Sequence, residues 1–127
     1  MLGKINNVVR IPTTKEKFFK YWFEFLKPFH NLTNREIEVI SSFVKHRYQL
    51  SLNITSEELL NRVLMSEEIK KAVREDCGIT SSHFQVIMSK LRDKKIIIDD
   101  KINPKFIPNI TKDEGNFKFM LLFDFTE

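Results

Sequence analysis

The stretch Cys77-Gly-Ile-Thr-Ser-Ser-His-Phe-Gln-Val-Ile-Met-Ser-Lys-Leu-Arg-Asp-Lys-Lys-Ile-Ile97 decides how this chain is read. Gly78 is the kind of residue that ends a helix, because a left-handed cap costs glycine no Cβ clash. Ile79 plugs the turn, and Thr80 or Ser81 caps the next helix by accepting from a free N–H of its first turn. Phe84, Ile87, Met88 and Leu91 then recur at i, i+3, i+4 and i+7, the spacing of one apolar stripe on a helix. After Lys94-Lys95 the run Ile96-Ile97-Ile98 is β-branched, and an Asp-Asp-Lys turn leads to Ile102, so the periodicity changes from helix to strand.

Upstream, Leu32-Thr-Asn-Arg-Glu-Ile37 is the clearest local signal. Thr33 and Glu36 fit a capping box, with Leu32 and Ile37 as the hydrophobic staple around it. Ile37, Val39, Ile40, Phe43 and Val44 carry a one-sided apolar face to about Tyr48. Thr55-Ser56-Glu57-Glu58 starts a short helix through Leu64. Ser66-Glu67-Glu68 starts another, with acids in its first turn as the helix dipole favours.

The two ends are less regular. Ile5 to Ile11 is short, β-branched and closed by Pro12, which fits an edge strand. Thr13-Thr14 caps a helix predicted to run to about Lys27, before Pro28 stops it. At ~100° per residue its aromatic and apolar residues, Phe18 to Leu26, cover an arc of about 200°, wider than one buried stripe requires. Either two layers of one domain bury this helix, or part of its aromatic face meets a partner. At the other end Phe117, Phe119, Leu121, Phe123 and Phe125 alternate with other residues in strand fashion.

At 127 residues and 42% hydrophobic the chain has enough apolar material for one ordinary domain with a short arm. No apolar run approaches a membrane span, and the N-terminus lacks the apolar core of a signal peptide. A single cysteine, Cys77, cannot form an internal disulfide, which fits a reducing cytoplasm. The three glycines stand far apart, so there is no phosphate loop. His30, His46 and His83 lack zinc-ligand spacing. Cys77 and His83 have no orienting acid or oxyanion device beside them. No catalytic residue, metal or cofactor is predicted. The net charge of +4 sits mostly in residues 1–62, which hold ten Lys/Arg against six Asp/Glu; residues 63–101 hold eight against seven.

From Ser66 to Phe125 the order helix, turn, helix, hairpin resembles the winged helix-turn-helix family, and in particular the small winged-helix proteins common in tailed-bacteriophage genomes. Cys77 to Phe84 followed by Leu91-Arg-Asp-Lys-Lys-Ile-Ile97 carries the resemblance. It implies a mainly α fold with a small antiparallel β wing, an α+β winged helix over residues 31–127. Residues 1–30 would form a strand and aromatic helix that either buttress it or dimerise it.

The family would seat the helix from Thr80 to Lys94 in a DNA major groove. Its predicted contact residues are Ser81, Ser82, His83, Gln85, Val86, Ser89, Lys90, Arg92, Lys94 and Lys95, with the polar side chains and Val86 facing bases and the cations facing phosphates. Phe19, Tyr21 and Phe23 are the predicted oligomer contacts. The expected function is sequence-selective binding of double-stranded DNA in transcription or replication control, in the cytoplasm of a bacterium or phage-infected cell, without a membrane. Asp93 and a nearly neutral wing (Lys101, Lys105 and Lys112 against Asp99, Asp100, Asp113 and Glu114) run against this. They leave open an assembly role, for example in a virion, in which the same fold holds other protein subunits.

Overall fold

Helix-capping residues partition the described residues into five helices, each opened by a hydroxyl side chain. In a computed structural model that describes residues 11–108, Thr14, Thr33, Ser56, Ser66 and Thr80 all accept from a backbone N–H three residues on. The helices are α1 (Lys15–His30), α2 (Asn34–Ser51), α3 (Glu57–Leu64), α4 (Glu67–Cys77) and α5 (Ser81–Asp93). A two-stranded antiparallel sheet comes next, β1 (Ile97–Ile98) and β2 (Lys101–Ile102), and then a 3-10 turn at Pro104–Phe106. The described fold is thus mainly α with a small antiparallel sheet. The predicted strand at 117–125, the predicted strand Ile5–Ile11 except for its last residue, and the predicted wing beyond residue 108 lie outside the described residues.

The predicted stop at Lys27 is corrected: α1 continues through Pro28 to His30. A proline removes one donor and crowds the preceding turn, yet so near the end only a single ladder bond is lost. The helix closes on Asn31, which takes the left-handed conformation at φ 53°; its N–H and that of Leu32 both return to the Lys27 carbonyl. Asparagine is the best substitute for glycine at such a cap.

α2 is the central rod, packed by α1, α3, α4 and α5. Its capping box is complete: Thr33 Oγ1 accepts from the Glu36 N–H at 3.2 Å, and Glu36 Oε1 accepts from the Thr33 N–H at 3.0 Å. Ile37, Val39, Ile40, Phe43 and Val44 are buried along it. One core joins these to Phe19 and Phe23 of α1, the apolar stripe of α5, both strands and Phe106. α1 is tied in further by Trp22, whose Nε1 donates to the Phe106 carbonyl at 2.8 Å, and by His30, whose ring meets Phe106 edge-on at 4.7 Å.

Among the described residues no helix is long and apolar enough to cross a membrane.

Candidate nucleic-acid interface

The turn before α5 is built by its sequence. Gly78 sits at φ 61°, its N–H donates to the Glu75 carbonyl, and the Ile79 N–H reaches back to Arg74. This is the Schellman arrangement, with Ile79 packed against the core. Thr80 then caps α5, accepting from the His83 N–H at 3.2 Å. Arg35 on α2 clamps the same corner through a 3.3 Å bond to the Cys77 carbonyl. Sequence reasoning missed that clamp, because it links residues far apart along the chain.

α5 has two sharply different faces. Phe84, Ile87, Met88 and Leu91 are buried, and the Arg74 guanidinium lies 5.5 Å from the centre of the Phe84 ring. On the other side Ser81, Ser82, His83, Gln85, Val86, Ser89, Lys90 and Arg92 are exposed, as is Asp93. Val86 is 56% exposed. Ser82, Gln85, Val86 and Ser89 fall at i, i+3, i+4 and i+7 and therefore share one outward stripe.

Lys94, one of the predicted contact residues, is engaged within the fold. Its ammonium donates to Glu36 Oε1 at 2.6 Å and to the Asn31 carbonyl at 2.5 Å, and Glu36 is only 3% exposed. The charge fastens the end of α5 to the start of α2. Lys95 remains exposed, in a left-handed conformation at φ 63°, and the Asn103 side chain holds its carbonyl at 3.0 Å.

Beyond Lys95 the hairpin pairs Ile97 with Ile102 and Ile98 with Lys101. Its two turn residues, Asp99 and Asp100, both have positive φ, 50° and 57°, the signature of a tight type I′ turn. A shallow depression of about 260 Å³ lies between this tip and α5, lined by Arg92, Lys95, Ile97, Ile98, Asp99 and Asp100. Arg92 therefore shares its surroundings with two carboxylates.

The predicted oligomer contacts divide. Phe19 and Phe23 lie in the core, 2% and 0% exposed, so the structure removes them as surface; Tyr21 is 46% exposed. Phe19 and Phe23 are one turn apart, whereas Tyr21 lies about 160° around the helix from Phe23. The three never share a face.

Two other groupings bear on chemistry. Asp76 Oδ2 accepts from Ser42 Oγ at 2.8 Å and meets His46 Nε2 at 3.0 Å. The residue types are those of a hydrolytic triad, but the carboxylate occupies the middle and holds the hydroxyl itself. Burial alone would raise the Asp76 pKa, but the bonds from Ser42 and His46 and the charge of Lys45 outweigh it and hold the carboxyl below its ordinary 3.8. The Cys77 thiol is pushed up to about 11 by burial and by the carboxylates of Glu38 and Asp76, the wrong direction for a nucleophile. No group of three or more His, Cys, Asp or Glu suited to a metal ion occurs among the described residues. A cleft of about 530 Å³ between α2, α3 and β2, with Arg47, Tyr48, Glu57 and Ile102 in its walls, includes no residue of α5.

No protein-family model, no curated protein and no solved structure matches the chain.

Proposed function

We propose that this chain is a sequence-selective double-stranded DNA-binding protein of winged-helix type, with α5 as the helix that enters the major groove and the β1–β2 hairpin as its wing. The observation that carries the reading is the outward stripe Ser82, Gln85, Val86 and Ser89: small or amide-bearing side chains, all exposed, on a helix whose opposite face is locked in the core. Such a stripe lets the helix axis approach base edges closely and offers them donors, acceptors and a methyl surface. Lys90, Arg92 and Lys95 serve as phosphate contacts at its margins. Action in viral or bacterial transcription or replication control, as a dimer in the host cytoplasm, completes the proposal; Tyr21 is the remaining aromatic candidate for the dimer contact.

A second reading is favoured by the hairpin tip. Asp99 and Asp100 place two negative charges where a wing would approach phosphates, and with Lys94 engaged elsewhere the basic margin is thin. The same exposed faces would then hold other protein subunits in an assembly.

Duplex binding measured against salt separates the two. Wild type is expected to bind mixed duplexes at ~50 mM salt and to lose affinity as salt rises, because neutralised phosphates release counterions. Lys90→Ala/Arg92→Ala should lower the slope of log K against log salt by about two. Absence of binding at ~50 mM would sink the DNA reading in favour of assembly.

A further inference from the structure

We infer that α5 selects A·T pairs at the centre of its site, with Gln85 and Val86 as the specificity-determining residues. The inference rests on the DNA reading above and adds to it which duplex is chosen.

The stripe is defined first by what it lacks. Guanine is most often recognised by the paired donors of arginine or by lysine, aimed at its O6 and N7. No lysine or arginine occurs on α5 from Ser81 through Ser89. The first, Lys90, lies on the shoulder of the stripe. Arg92 stands at the far end, past the stripe, and lines the depression beside Asp99 and Asp100.

What the stripe offers is complementary to A·T. The Gln85 amide can give one hydrogen bond and take one, matching adenine N7 and N6 in a single plane. Val86, next along the helix and 56% exposed, presents branched methyl surface suited to the thymine C5-methyl. A buried position would have used that side chain for packing; here it is displayed. Ser82 and Ser89, one turn to either side, are short enough not to hold the helix away from the bases. Seven residues at 1.5 Å rise put Ser82 and Ser89 about 10 Å apart, a span of about three base pairs.

The test is a selection from random duplexes with the full chain, followed by anisotropy titrations in which the two central pairs are switched from A·T to G·C. Thymine-to-deoxyuridine replacement removes only the methyl. Wild type should prefer A·T by about tenfold at each position. Gln85→Ala should lose most of the preference at the adenine, and Val86→Ala should become indifferent to deoxyuridine. Both side chains are exposed, so neither substitution threatens folding. Duplex binding with a G·C centre, or with a preference that neither substitution alters, would overturn this inference and leave the DNA reading standing. Absence of binding to any duplex would overturn both.

Discussion

α1 and α5 are both amphipathic helices laid on the same core, and they use their outer surfaces differently. α5 divides cleanly: four large apolar side chains inward, small polar ones outward, and a single exposed Val86. α1 grades from buried Phe19 and Phe23 through half-buried Phe18, Trp22 and Leu26 to Tyr21 and Phe29, which is 61% exposed. A clean division identifies which residues are available for another molecule. A graded one does not, because aromatic rings are large enough to serve the core with one edge and the surface with the other.

The largest test of this contrast is truncation. Phe23→Ala and Phe84→Ala should each cost about 3–5 kcal/mol in denaturant unfolding, since both side chains are fully enclosed. Phe29→Ala and Val86→Ala should cost about 0.5 kcal/mol or less. A loss below ~1 kcal/mol for Phe23→Ala would mean that α1 is an appendage and that the two helices do not share one cooperative unit.

The next effect separates the cations at the end of α5. Lys94→Met leaves Glu36 buried without its partner and should destabilise the fold by about 3 kcal/mol. Lys94→Ala, if still folded, should leave the salt slope of duplex binding unchanged, whereas Lys90→Ala lowers it by about one. An equal drop for both would return Lys94 to the contact surface.

The smallest effect is a pH dependence confined to α1. Burial, and then the charge of Lys105, hold the His30 imidazole below its ordinary 6.5. Between that lowered value and 6.5 the unfolded chain binds the proton more readily than the folded one. Stability from this site is therefore complete above pH 6.5 and falls as pH drops through the folded pKa. Thermal melts from about pH 7.5 to about pH 5 should show the decline, and His30→Gln should flatten it. An unchanged slope in the variant would assign the dependence elsewhere.

Much of the fold is legible in the sequence because its signals are local. The Thr33–Glu36 capping box, the Gly78 cap and the Phe84–Leu91 stripe each depend on residues within two turns, and the structure realises all three. The α1 terminus is not legible in the same way, because a proline rule that holds in helix interiors fails one turn from an end, where Asn31 supplies the cap. The candidate site is legible in its exposed stripe, which periodicity fixes. The role of Lys94 is hidden, because its partners Glu36 and Asn31 are some sixty residues away and nothing local distinguishes it from Lys95. Phe19 and Phe23 could have been separated from Tyr21 by the same periodicity that serves α5 well.

The carboxylate of Glu36 is shared: one oxygen receives both the Thr33 N–H that starts α2 and the ammonium that ends α5. Helix termini ordinarily fray independently, each at little cost. Here the last turn of α5 cannot loosen without also taking a partner from the first turn of the central rod. Amide hydrogens at both places should therefore exchange together and slowly, so that the outward helix stays a stiff rod to its final turn.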